Sequence, residues 1–228
     1  MIFDISRPHQ NIYGLILFGS VITGLVFTVL YMIKNGVKRS AALAVAGLQM
    51  LLIFYFGAMY SFLFSSEKGV SFLNAGLSSM GGAIGAVIGI LISGKIFKEY
   101  KKEIAVSYFT AIPLIYSLSK LGCFFAGCCH GRESRFLAVR YPGSDVSYIP
   151  VQLMETIVFL IIFMIVFAGK KKQTVNIAMC CTAKFLLDFF REPVSSSIIS
   201  VNQIACIVML VILIPLIKKL KYDSLKTS

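Results

Sequence analysis

The most apolar stretch of the chain runs from Val151 to Gly169 and reads VQLMETIVFLIIFMIVFAG. Its 19 residues contain one charged side chain, Glu155, and their number is close to the ~20 that an α-helix needs to cross a bilayer. A helix that is apolar all round belongs in a large core or in a membrane. The stretch therefore predicts a membrane-spanning helix, and the rest of the sequence is interpreted from it.

The composition of the whole chain agrees with a membrane protein. Of the 228 residues 57% are hydrophobic and 14% are charged, whereas soluble domains carry about 25% charged residues. The chain is also too apolar to be disordered. Its net charge of +12 does not indicate nucleic-acid binding, because the basic residues lie between apolar runs. We therefore expect a bilayer, and no nucleic acid, among its partners.

Six further apolar runs predict an all-α integral membrane protein with about seven transmembrane helices in one polytopic domain, residues 1–228. The first run is too long for a cleaved signal peptide, and the sixth is the weakest because Lys184 and Asp188 lie inside it. The predicted spans are Ile12–Ile33, Ala41–Phe64, Phe72–Ile96, Ile104–Ala126, Val151–Gly169, Asn176–Phe190 and Ile198–Ile217.

The distribution of Lys and Arg predicts the orientation. The connectors after spans one, three and five, with the adjoining helix ends and the C-terminal tail, carry 14 basic residues, and the opposite side carries 6. Because cytoplasmic loops carry the excess of basic residues, the N-terminus is expected outside and the C-terminus in the cytoplasm.

With this orientation, polar residues of five spans fall at one depth, in the outer leaflet. A charge inside a span costs at least ~2.5–3.5 kcal/mol on insertion scales and usually faces a cavity or a partner, so we expect a polar cavity open to the outer surface. These residues are Tyr13, Gly14, Ser78, Ser79, Met80, Gly81, Gly82, Lys120, Cys123, Gln152, Glu155, Lys184, Asp188 and Arg191.

Spacing separates structural from functional interpretations of some of these residues. Lys184 and Asp188 are four apart and share a helix face, so a structural ion pair is as good an interpretation as a functional site. Lys120 and Glu155 have no close sequence partner, which favours a functional cavity. Gly85 and Gly89, which continue a four-residue repeat from Gly81, are expected to pack against another helix. The Gly81-Gly82 pair is also typical of backbone that approaches a ligand.

Cys123, Cys128, Cys129 and His130 crowd one short stretch. Thiolates and imidazole suit zinc or copper, but adjacent cysteines rarely ligate the same ion, so no metal and no other cofactor is expected. A disulfide and simple apolar packing are the alternatives for the cysteines. His130 lies just past the fourth span, at the outer surface, and is the candidate base near neutral pH.

Five motifs in order resemble those of the bacterial prolipoprotein diacylglyceryl transferases. Residues 119–132, SKLGCFFAGCCHGR, resemble the signature loop of that family and keep Phe124, Gly127, Gly131 and Arg132. The family is seven-spanning with its N-terminus outside, in agreement with the charge distribution. The other four motifs are Tyr13-Gly14, Gly81-Gly82, PVQLME at 150–155 and KFLLDFFREP at 184–193.

The chain departs from the family pattern at several of these positions. Lys120 and Lys184 stand at two family arginines, and Met80 stands at the family histidine. Lysine keeps the positive charge without the bidentate fork of arginine, and methionine cannot act as a base. Cysteines 123 and 128 replace a signature Asn and Glu, and Asp188 replaces a Glu.

The resemblance implies an enzyme that moves the diacylglyceryl group of phosphatidylglycerol, or a related anionic phospholipid, to the lipobox cysteine thiol of a prolipoprotein signal peptide. It implies a multi-pass protein of the bacterial inner or plasma membrane, with its active site toward the outer leaflet. The catalytic residues would be His130, Lys120 and Lys184. The substrate-binding residues would be Tyr13, Gly81, Gly82, Gly131, Arg132, Gln152, Glu155, Asp188 and Arg191.

Two alternatives stay open at this stage. The first is a paralogue with the same lipid site but another acceptor, or with Cys123, Cys128 or Cys129 as a nucleophile or redox group. The second is a lipid-binding or transport protein without enzymatic activity. Transporters often show inverted repeats, and no repeat is visible in this sequence.

The charge asymmetry makes the orientation testable. We expect a cysteine introduced beside Arg135 to be labelled by a membrane-impermeant thiol reagent in intact cells. A cysteine beside Lys171 should be labelled only after the cells are permeabilised. Labelling beside Lys171 in intact cells would reverse the orientation.

Overall fold

The computed structural model describes residues 2–4, 10–64, 72, 76–141, 144–169, 173–191 and 199–226. In these ranges the chain forms seven α-helices and a short 3-10 turn at Lys98–Tyr100. The helices are α1 (Gln10–Lys34), α2 (Arg39–Phe64), α3 (Ser79–Ile96), α4 (Lys101–Ala126), α5 (Val151–Gly169), α6 (Gln173–Asp188) and α7 (Val201–Lys226).

A small sheet accompanies the helices. Strand β2 (Ala138–Arg140) pairs in parallel with β1 (Ile2–Asp4) and antiparallel with β3 (Ser147–Tyr148). This sheet was not predicted, because strands of two or three residues are too short to show an alternating pattern in the sequence.

The helices follow the predicted spans closely, with shifts at their ends. Helix α3 begins at Ser79 rather than Phe72, because Gly76 is left-handed and Ser78 is extended, with its hydroxyl accepting a hydrogen bond from the Gly81 amide. Helix α6 ends at Asp188, two residues early, and α7 begins three residues late.

Four helices of the described chain are long and apolar enough to cross a membrane, and the full set of seven spans stays a prediction. The four are Gly14–Lys34, Arg39–Phe64, Lys98–Ala126 and Val151–Gly169. Large apolar side chains point away from the protein along such helices; Leu51 of α2, for example, is 71% exposed. Exposing this apolar surface to water costs free energy, whereas contact with lipid tails does not. The chain is therefore a membrane protein.

The chain divides into two compact units, each described here by itself, and the single domain of the sequence analysis stays a prediction. In the unit Val21–Ile112, helices α2 and α3 pack through glycines. A Cβ atom on Gly85 would collide with the backbone carbonyl of Leu52, and one on Gly81 with that of Phe56. Small residues thus let the two backbones approach closely, as expected for Gly85. Gly81 has the same packing role.

The second unit contains residues 1–20 and 113–228. The Ser117 hydroxyl of α4 donates to the Thr156 carbonyl of α5 at 2.7 Å, and the Thr156 hydroxyl donates back to the Ser117 carbonyl at 3.3 Å. The Gln203 amide of α7 donates to the Phe185 carbonyl of α6 at 3.2 Å. These buried bonds fix the helices that carry the ionisable residues.

Close packing of α2 on α3 predicts that Gly85→Ala destabilises the protein by about 1–3 kcal/mol, because the added methyl meets backbone that cannot move aside. Gly47→Ala is the matched control: Gly47 lies in α2 with open space around its Cα, and alanine favours a helix by about 1 kcal/mol. Thermal unfolding in detergent measures both variants. Equal stability of the two would contradict the packing role.

Candidate functional site

A buried carboxylate, Glu155 of α5, lies at the centre of the candidate site. Its Oε1 is 2.7 Å from Nζ of Lys184 on α6. Its Oε2 is 3.3 Å from Nζ of Lys120 on α4 and 3.1 Å from a terminal guanidinium nitrogen of Arg191. The Glu155 side chain is completely buried, so these three cations replace its water shell.

A second carboxylate, Asp188, completes what we call the ion network: Lys120, Glu155, Lys184, Asp188 and Arg191. Its Oδ1 is 3.1 Å from Nζ of Lys184 and 3.4 Å from Nε of Arg191. Its Oδ2 accepts a hydrogen bond from the Ser200 hydroxyl, just before α7. The network therefore connects α4, α5 and α6, and Ser200 extends it to the start of α7.

The helical periodicity places these side chains on the buried faces of their helices. On α6, Ile177, Cys181, Lys184 and Asp188 are all buried at intervals of three or four residues, which is one helix face. On α5 the buried face begins with Gln152 and Glu155. The predicted Lys184–Asp188 pair is present, and Lys120 and Glu155, which have no close partner in sequence, contact each other.

The charges of the ion network do not cancel. Among the described residues it holds three cations and two carboxylates, which leaves one positive charge in excess among side chains that are at most 18% exposed. An unpaired charge in a low-dielectric interior is costly, and such charges at membrane depth face one another or a polar cavity. The arrangement can therefore accept an anion.

Sequence reasoning missed Tyr116. Its hydroxyl donates to Oε1 of Glu155 at 3.0 Å, and its ring centroid lies 5.1 Å from Nζ of Lys120. The available signal was its position four residues before Lys120, on the same face of α4.

Backbone hydrogen bonds join the end of the signature loop to the residues next to two helices, before α5 and after α6. The Gly131 amide donates to the Ile149 carbonyl at 2.8 Å, and the Arg132 amide donates to the Phe190 carbonyl at 2.9 Å. A Cβ atom on Gly131 would lie 2.6 Å from that Phe190 oxygen, so only glycine fits. The exposed Arg132 side chain donates from Nε to the Arg191 carbonyl at 3.2 Å. It makes no ion pair with the described carboxylates of the ion network, Glu155 and Asp188.

Gln152 and His130 belong to this loop region. The buried Gln152 amide donates to the Cys128 carbonyl at 2.6 Å and to the Tyr141 hydroxyl at 3.2 Å, so its observed role is to support the loop. The His130 ring packs on Tyr148 with centroids 4.1 Å apart, and its Nδ1 lies 3.2 Å from the Gly131 carbonyl.

Cys123, Cys128 and Cys129 meet in what we call the thiol cluster, where all three sulfur atoms lie within 4.8 Å of one another. Hydrogen bonds from the other two thiols lower the pKa of the Cys129 thiol, and the charges of Lys120 and Arg191 lower it further. Hydrogen bonds with Cys123 and Cys129 raise the pKa of the Cys128 thiol. The three thiols of the cluster therefore differ in how readily they lose a proton.

Three further predicted site residues lie in the other compact unit or have side chains outside the described part of the chain. Gly81 and Gly82 belong to the other compact unit, together with Met80. Tyr13 lies in α1, but its side chain is outside the described part of the chain. Their roles in a donor site stay predictions.

The central place of Glu155 predicts a strong effect of Glu155→Gln. Loss of one partner from a buried ion network costs about 3–5 kcal/mol, because the remaining charges stay buried. The exposed Glu133, changed to Gln, is the control and should be nearly neutral. Chemical denaturation in detergent measures both variants. A Glu155→Gln protein as stable as the wild type would show that the carboxylate is not what holds the cations.

Comparison with known proteins identifies the family of the chain. The family model described as prolipoprotein diacylglyceryl transferase matches residues 1–218. A curated relative from Clostridium perfringens (strain 13 / Type A), phosphatidylglycerol–prolipoprotein diacylglyceryl transferase 2, is 27% identical over 158 residues. That match covers 62% of this chain and 62% of the relative, so the chain spans less than two thirds of the relative's length. Because the family model matches nearly the whole chain, the resemblance is confirmed, and the chain belongs to the prolipoprotein diacylglyceryl transferase family.

Proposed function

We propose that the protein is a phosphatidylglycerol-dependent enzyme that transfers a diacylglyceryl group to the lipobox cysteine thiol of a prolipoprotein. It acts in the bacterial plasma membrane, as a multi-pass protein with its site toward the outer leaflet. The observation that carries the proposal is the excess positive charge of the buried ion network. The name of the Clostridium perfringens relative supports the choice of lipid and acceptor.

The ion network suits an anionic head group. The Arg191 side chain is 18% exposed, more than the other members, and its Nε, 3.4 Å from Oδ1 of Asp188, makes no hydrogen bond with the described residues. A guanidinium donates two parallel bonds to phosphate oxygens, and charge-assisted bonds of this type are about twice as strong as neutral ones. Arg191 is therefore the group that we assign to the phosphate, with Lys120 and Lys184 as fixed charges behind it.

The same cations suit the departure of the phosphate. In the proposed reaction the acceptor sulfur forms a bond to the terminal glyceryl carbon of the lipid. The bond from that carbon to the phosphate oxygen breaks, and its electron pair leaves with glycerol phosphate. Preorganised positive charge at a developing oxyanion is a large source of catalysis in a site that excludes water.

The acceptor thiol, with an ordinary pKa of about 8.5, must lose its proton before it attacks. The family histidine is replaced by the buried Met80, which cannot take that proton. We assign proton transfer to His130 and the surrounding water. Its Nδ1 lies 3.2 Å from the Gly131 carbonyl, and an imidazole whose Nδ1 donates a hydrogen bond takes up a proton at Nε2.

The second candidate function is a paralogue with the same lipid site and a different acceptor. The replacement of the family histidine by Met80 and the thiol cluster favour it, because both change the groups that would handle the acceptor. It predicts lipid binding without transfer to a lipobox peptide.

Transfer by the purified protein tests the proposal. We expect a lipobox peptide incubated with phosphatidylglycerol to gain a thioether-linked diacylglyceryl group, detected by mass spectrometry. Loss of one charge-assisted contact costs about 1.5–3 kcal/mol, so Arg191→Ala should lower kcat/KM about 10- to 100-fold. The exposed Arg135, changed to Ala, is the matched control and should keep wild-type kcat/KM.

Three results decide between the candidates. Phosphatidylcholine, whose head group carries no net charge, should be a poor donor. Phosphatidylglycerol binding that depends on Arg191, with no transfer to the peptide, would favour the paralogue. Unchanged kcat/KM in Arg191→Ala would remove the ion network from the mechanism.

A further inference from the structure

The thiol cluster is not used by the reaction as described so far. Cys123 lies in the last turn of α4, and Cys128 and Cys129 follow in the turn after it. Among the described residues these three thiols form a group whose ligand atoms are close enough for one metal ion, and His130 is not part of it. Cys123 is buried, whereas the other two are exposed, so one side of the cluster is open.

The backbone explains how adjacent cysteines reach one point. Gly127 and Cys129 are both left-handed, with φ of 68° and 60°, and this bends the chain sharply on either side of Cys128. A left-handed non-glycine residue costs about 1–3 kcal/mol and persists where the surroundings impose it. Here the Cys128 amide donates to the Cys123 carbonyl at 3.2 Å, and Gln152 holds the Cys128 carbonyl at 2.6 Å. Adjacent cysteines rarely ligate the same ion, but this turn brings the sulfur atoms of Cys128 and Cys129 to one point.

The size of the cluster fits a soft metal ion. Zinc–sulfur bonds of about 2.3 Å place three sulfur atoms about 3.8–4.0 Å apart around one ion. In the structure the three sulfur atoms lie within 4.8 Å of one another, slightly farther apart than around zinc. Rotation about the Cα–Cβ bonds of the exposed cysteines would bring the sulfur atoms to the shorter distance. Sulfur ligands select zinc over magnesium or calcium, which prefer oxygen.

The charge of such a site is also compensated. A zinc ion with three thiolates carries one negative charge. Lys120 lies three residues before Cys123 on the same helix, α4, so a cation adjoins a site that would be anionic when it holds zinc.

We propose that Cys123, Cys128 and Cys129 bind one zinc ion whose fourth position takes the acceptor thiol. This inference rests on the proposed function, because it supplies the thiol activation that the reaction needs. Three protein ligands with one open position are the pattern of a catalytic rather than a structural zinc site. A thiol that coordinates zinc is deprotonated outright, so the acceptor becomes a thiolate without a strong base.

The acceptor thiol binds with loss of its proton to His130 and the surrounding water. Its sulfur then forms the carbon–sulfur bond as the glyceryl carbon–oxygen bond breaks, and the released electron pair stays on the phosphate. Glycerol phosphate takes up a proton from water, and the thioether product, a weak ligand without charge, leaves the ion. No electron is gained or lost by the protein.

Metal analysis of the purified full-length protein tests the site without reference to activity. We expect one zinc ion per chain by mass spectrometry, and cobalt(II) exchanged into the site should show sulfur-to-metal charge-transfer absorption. Cys123→Ser and Cys129→Ser should lose the metal. Cys180→Ser, which changes a cysteine of α6 outside the cluster, is the matched control and should keep it.

A measurement on the wild-type protein tests the zinc site even if the cysteine variants fail to fold. Zinc should protect Cys123, Cys128 and Cys129 from alkylation and leave the reactivity of Cys180 unchanged. Full alkylation of the three cysteines in the presence of zinc would overturn the inference. So would a disulfide within the cluster combined with no cobalt binding by the reduced protein.

Activity separates this inference from the proposed function. Transferase activity that is lost on chelation and restored by zinc supports both. Full activity in metal-free protein and in Cys129→Ser would overturn the zinc site and leave the proposed function standing. One tightly bound zinc in a protein that transfers nothing to a lipobox peptide would overturn the acceptor role and the proposed function, while the metal site remained.

Discussion

The buried carboxylate of Glu155 is the interaction on which the rest of the second unit depends. Three cations, on α4, α6 and the turn after α6, contact its two oxygens. Each of these charges would be costly alone in an apolar interior, so none of the helices can move away without leaving a charge unpaired. Burial of Lys184 on the weakly apolar α6 follows from the same constraint, because Glu155 and Asp188 compensate its charge.

The sequence was informative wherever a regular period decides the structure. The apolar runs predicted the seven helices, and the four-residue interval predicted the contact between Lys184 and Asp188. It could not show that Lys120 meets Glu155, because that contact depends on how α4 and α5 pack. The sequence also could not show that Cys128 and Cys129 approach the same point. That approach depends on the left-handed conformation of Cys129, which residue propensities do not predict.

The family departures become consistent once the contacts are known. Lys184 lacks the fork of arginine, yet a single ammonium serves both Glu155 and Asp188, at 2.7 and 3.1 Å. The shorter Asp188 still reaches Lys184 because both lie on one helix face. Arg191, the most exposed cation of the network, is an arginine with the planar fork, and its Nη2 and Nε lie 3.1 Å from Glu155 and 3.4 Å from Asp188.

The two helices α4 and α5 each contribute to both halves of the proposed site. On α4, Lys120 of the ion network lies three residues before Cys123 of the thiol cluster. On α5, Gln152 supports the carbonyl of Cys128, and Glu155, three residues later, holds the cations. Residues three apart on a helix are neighbours, so a shift of either helix displaces the anion-binding charges and the thiols together. Transfer between a bound lipid and a bound thiol requires such fixed proximity, because the rate depends on the distance and alignment of the reacting atoms.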